Sequence, residues 1–123
     1  MLRQPLQLHF TNVPSPGAIE LAARRRIRWM EQVYPAVLEW NLNVQSVDFD
    51  DATGTFAATT RARIVGGDVL SGNAQASDPL GAVRLAFNQL ESALESEHDD
   101  ARSRAVEWLN AMKRRIAHRV EHE

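Results

Sequence analysis

The stretch TFAATTRARIVGGDVLSGNAQASDPLGAV, residues 55–83, decides the fold. In its first part Phe56, Ala58, Thr60, Ala62 and Ile64 alternate with Thr59, Arg61 and Arg63, the two-residue period of a strand with one buried side. Gly66-Gly67 then separates this run from DVLSGNAQA. A mirror-image two-residue turn needs positive φ, which glycine tolerates, so the two runs are expected to be antiparallel hairpin neighbours. Asp78 followed by Pro79 closes the stretch. Aspartate is a preferred N-cap, and the missing N–H of proline is harmless at the first helical position. A helix is therefore predicted from 79, buried through Val83, Phe87, Leu90 and Leu94.

Upstream, Leu6, Leu8 and Phe10 alternate with Gln7, His9 and Thr11, which reads as a strand. A turn-forming run over 12–17 contains Pro14 and Pro16, and Ile19, Ala23, Ile27, Met30 and Tyr34 then recur at helical spacing until Pro35. Trp40, Leu42 and Val44 oppose Glu39, Asn41, Asn43 and Gln45, a second strand, and Asp48, Asp50, Asp51 and Gly54 supply its hairpin loop. Downstream, apolar residues thin out in EHDDARSRA and return as Ala105, Trp108, Leu109, Met112, Ile116 and Val120. Two readings fit: one helix from 79 to about 120, or a break near His98 with Asp99 capping a third helix. Asp99 and Asp100 suit a helix start and favour the break.

The expected fold is α+β in the order β-α-β-β-β-α, a four-stranded sheet with two helices packed on one face, plus a C-terminal helical extension. A domain over 1–98 and an amphipathic extension over 99–123 follow. The first two strands, joined through a helix, should be parallel, with a right-handed crossover.

The chain has 123 residues, 44% of them apolar and 24% charged, which suits one soluble domain with one core. It has no cysteine, so disulfides, thiolate catalysis and cysteine zinc sites are excluded. The stretch MLRQPLQLHF lacks the apolar core of a signal peptide and no run approaches a membrane span, so a cytoplasmic protein without a membrane partner is expected. The net charge of -2 conceals a polarity. Residues 77–100 carry one arginine against six carboxylates, and 101–123 carry six cations against three. Acidic and basic blocks in succession suggest oriented surfaces or self-complementary pairing.

Candidate chemistry is sparse. His118 and His122 sit one helical turn apart, but arginine and not glutamate follows His118, so the H-E-x-x-H metalloprotease motif is not met. Asp48, Asp50 and Asp51 lack the spacing of a calcium loop, Gly66-Gly67 fits no phosphate loop, and His9 has no nucleophile or carboxylate at a meaningful spacing. With no acid, base, nucleophile or metal set, neither an enzyme nor a cofactor is expected.

The stronger lead is ELAARRRIRWME, residues 20–31. A rotation of about 100° per residue sets Arg24 and Arg28 on one flank, Arg25 toward solvent, and Arg26 on the other flank near Trp29. Glu20 precedes Arg24 by four in the favourable ion-pair order, and Glu31 can reach Arg28. Lys113, Arg114 and Arg115 form a second basic run, placed as the helix dipole prefers. Both runs are equally explained as solvated helix faces.

LQLHFTN, then AIELAARRRIRWMEQVYP, then ARIVGGDVLSGNAQASDPLGAVRLAFNQLESAL resembles the ribosome hibernation promoting factors, or ribosome-associated inhibitors, over about residues 6–97. Ile27, Met30, Glu31 and Tyr34 fall at the family's spacing in the first helix. The resemblance implies binding to small-subunit ribosomal RNA near the decoding region and inhibition of translation under stress, with Arg26 at a place where the family commonly has a basic residue and Arg24, Arg25 and Arg28 enriching the same helix. Lys113, Arg114 and Arg115, outside the matched stretch, are expected to join them on the RNA. In the second helix the family is basic, whereas this chain has Gln89, Ser92, Ser96, Glu97, His98 and Asp100. The basic extension restores that charge if it folds back beside the first helix. The alternative is a protein-interaction module without RNA binding, which self-associates as a homodimer through Trp108, Leu109, Met112 and Ile116.

Overall fold

The computed structural model describes residues 4–47 and 54–121, with side chains through 115. The elements are β1 (Leu6–Thr11), α1 (Pro16–Val33), β2 (Val37–Ser46), β3 (Phe56–Ile64), β4 (Val69–Ala76) and α2 (Pro79–Glu121). The strands form one sheet in the order β1-β2-β3-β4. β1 runs parallel to β2, with Leu8 opposite Leu42, and the other pairs are antiparallel. The expected α+β class and element order are therefore present. Asp48, Asp50 and Asp51 lie outside the described residues.

The alternation read in the strands becomes burial. Trp40, Leu42, Val44, Ala58, Thr60, Ala62 and Ile64 face inward, and Ile19, Ala23, Ile27 and Met30 of α1 meet Ala82, Val83, Ala86, Phe87, Leu90 and Leu94 of α2 in the same core. The helices thus cover one sheet face. Gly66 and Gly67 have φ of 103° and 94°, as their turn requires. Pro16 begins α1 after Ser15, whose carbonyl accepts the Ala18 N–H at 3.1 Å. Asp78 caps α2: its Oδ1 accepts the Gly81 N–H at 2.6 Å.

The expected break near His98 is absent. α2 continues through Asp99 and Asp100 as one helix. Each mid-helix aspartate costs only ~0.5 kcal/mol of propensity, whereas a break forfeits several backbone hydrogen bonds. After Gly81 the described helix contains no glycine or proline to stop it, and Arg104 reaches back across the aspartates to Glu97 at 3.5 Å. The basic extension accordingly projects outward and does not fold back beside α1.

Gln4 anchors the N-terminal end. Its Oε1 accepts the indole N–H of buried Trp40 at 2.6 Å, and its backbone N–H donates to Glu31 at 3.1 Å. Gln4→Ala leaves the indole N–H without its acceptor, so urea denaturation should register a loss of about 1–2 kcal/mol. Gln7→Ala, which removes only an exposed 3.3 Å contact with Asn41, should be nearly silent.

Candidate nucleic-acid interface

Burial of Ile19, Ala23, Ile27 and Met30 turns the other side of α1 outward, and Arg24, Arg25 and Arg28 are exposed there. Arg24 makes the expected pair with Glu20 at 2.9 Å. That pair is exposed and one turn long, worth about 0.3–0.5 kcal/mol, so phosphate can displace it at small cost. Glu31 accepts from Gln4.

Arg26 differs from its neighbours. Its guanidinium donates to Asn88 at 2.9 Å and to Glu91 at 2.6 Å, with about a quarter of each charged side chain exposed. It ties α1 to α2. Its flank was legible from helix rotation, but its acceptors lie 62 and 65 residues away and only tertiary packing brings them close.

A groove of about 370 Å³ runs between the helices and is lined by Arg25, Arg26, Trp29, Arg84 and Phe87 among others. Arg25 from α1 and Arg84 from α2 approach it from opposite sides, and Trp29 is 50% exposed at its rim. Arg84 is absent from the sequence-derived set because it stands alone in an acidic block. The available signal was its position one residue after the buried Val83, which carries it toward the flank that faces α1.

Lys113, Arg114 and Arg115 stand apart. Every residue from 98 to 115 is exposed, and at 1.5 Å per residue Lys113 lies ~22 Å along the helix beyond His98. Glu91, Glu95, Glu97, Asp99 and Asp100 occupy α2 between the two basic regions. Sequence reading grouped seven cations, and the fold divides them into an α1 face and a distal patch.

Those carboxylates also act on Tyr34, which is 8% exposed. Burial first, then the negative charges of Glu91, Glu95 and Asp99, raise its phenol above the ordinary value. Below pH ~10 the phenol is protonated in folded and unfolded chains alike. Above it the unfolded chain loses its proton first, so this group's contribution to stability falls as pH rises through the raised folded value. Tyr34 is the sole tyrosine, so phenolate absorbance should titrate late and with it the unfolding midpoint should drop.

Among the described residues no group of three His, Asp or Glu side chains is arranged to hold a metal, and no helix is long and apolar enough to cross a membrane. His122 and the side chain of His118 lie outside the described residues. A shallow groove of about 700 Å³ between β4 and α2 is lined by Thr59, Asn73, Gln75, Asn88, Gln89 and Ser92 with apolar neighbours, and contains no ionisable side chain. The chain matches no family model and no curated protein.

Proposed function

We propose that this protein is a ribosome-associated inhibitor of translation that binds small-subunit ribosomal RNA through the outer face of α1. The observation that carries this reading is the inter-helix groove: cations from both helices, Arg25 and Arg84, flank the half-exposed indole of Trp29. Such a site offers guanidinium groups to phosphates and an aromatic face to an unstacked base, the combination used to bind single-stranded and looped RNA. Arg24 and Arg28 extend the cationic face along α1. The stretches that carry the resemblance form β1, α1, the β3–β4 hairpin and the capped start of α2. Acidic α2 beyond Glu91 repels phosphate, which directs RNA toward the Arg84 end of the helix pair.

Co-sedimentation with purified small subunits tests the reading. Binding is expected at low salt and should weaken steeply as salt rises, because each phosphate contact releases counterions. Absence of co-sedimentation at low salt would sink it.

A further inference from the structure

We infer that two copies of this chain pair through α2 beyond His98, antiparallel, with the projecting helix of each copy packed on the other. The buried stripe of α2 does not end where the domain ends. Leu90 and Leu94 are buried, and the same side of the helix continues through Ala101, Ala105, Trp108, Leu109 and Met112 at spacings of three and four. Out in solvent, Trp108, Leu109 and Met112 are 62%, 49% and 40% exposed. A free helical arm of this length is marginal in water without a packing surface. The side chain of Ile116 lies outside the described residues.

Charge selects the occupant. Residues 91–100 hold five carboxylates and no Lys or Arg, and residues 101–115 hold five cations against Glu107 alone. An antiparallel crossing near Ala105 brings Lys113 beside Glu97 of the second copy, in exchange for that residue's own exposed 3.5 Å contact with Arg104, and Arg115 beside Glu95. The same crossing sets Leu109 against Ala101, a large side chain facing a small one. A parallel pairing would align like charges instead. One segment carrying both halves of a complementary pattern is what a two-fold, self-complementary contact requires.

The domain supplies the remaining wall. A cleft of about 430 Å³ lies between α2 and the end of the domain, with Tyr34, Pro35 and Val65 on one side and, on the other, Leu94 and Ala101 together with the polar Glu97, His98 and Arg104. Val65 is 65% exposed. The same crossing places Trp108 of the second copy at the mouth of this cleft, where its indole would cover Tyr34, Pro35 and Val65 and leave the polar side chains at the rim. The groove at Arg25, Trp29 and Arg84 lies toward the opposite end of the helix pair and stays open in such a dimer. Pairing through this segment is therefore independent of RNA binding at the groove.

Sedimentation of the nuclease-treated full chain tests it. The expected result is a species of twice the 13.8 kDa chain mass at tens of micromolar. Trp108→Glu should yield a monomer whose sheet and core stay folded, with helical signal lost only from the unpacked arm. Reversing Glu95 and Glu97 to Arg and Lys should weaken pairing at least tenfold, and adding Lys113→Glu and Arg115→Glu in the same chain should restore it. A monomeric full chain, a dimer insensitive to Trp108→Glu, or association that appears only when RNA is present would overturn the inference. Failure of the charge exchange to restore pairing would overturn its antiparallel register.

Discussion

Gly72→Ala is expected to destabilise this protein by about 3 kcal/mol or more, enough to lower its thermal midpoint by about 10 °C. The expectation reverses the usual sign, since alanine in a strand ordinarily loses less conformational entropy than glycine. Here α2 crosses β4 in close approach. A Cβ on Gly72 would collide with the carbonyl oxygen of Ala86 and lie 2.8 Å from the backbone nitrogen of Leu90 and 2.9 Å from the Thr60 hydroxyl. Two of these atoms belong to the helix backbone, so no rotamer change makes room and the helix itself must move. It is held where it is by the Thr60 hydroxyl, fully buried and donating to the Ala86 carbonyl at 2.9 Å. Displacing α2 also loosens Phe87 and Leu90, which are 2% and 0% exposed. Urea denaturation of the variant checks this, and stability equal to or above that of the wild type would mean the two backbones are not in contact.

Gly72 marks the boundary of what the sequence made legible. Patterns set by one buried face could be read directly: the inward residues of β2 and β3, and the stripe of Ile19, Ala23, Ile27 and Met30, are buried as their periods require. Turn and cap chemistry could be read as well, because Gly66-Gly67 and Asp78-Pro79 act locally. A glycine inside a strand pattern, by contrast, has several local explanations, and only the helix crossing it selects among them. The same limit hid Asn88 and Glu91 as the partners of Arg26. The misread break at His98 has a different origin. Asp99 and Asp100 carry a genuine start signal, but capping propensity is a small term beside an uninterrupted backbone hydrogen-bond ladder. Arg84 is invisible to charge summed by segment, whereas its position in the fold sets it across a groove from Arg25.

Reversing Arg24, Arg25, Arg28 and Arg84 to glutamate together, with Arg26 retained, is expected to abolish RNA binding without unfolding the domain. If each cation holds one phosphate, four lost contacts flatten the salt dependence of log K by about three, using ~0.7 per contact for unpaired strands. The introduced carboxylates add repulsion, so affinity at low salt should fall by about a hundredfold or more. Stability should change little, since all four residues are exposed and the ion pair that Arg24 makes is a surface contact with Glu20. Arg26→Gln is the informative contrast. It removes the guanidinium that joins Asn88 and Glu91, so it should lower stability by about 1 kcal/mol and leave RNA affinity within a few-fold of the wild type. Filter binding of a small-subunit RNA fragment across a salt series, beside urea denaturation of each variant, separates the two outcomes. Wild-type affinity in the fourfold variant would remove these four arginines from any role in RNA recognition, and a loss confined to Arg26→Gln would centre the contact on Arg26 instead.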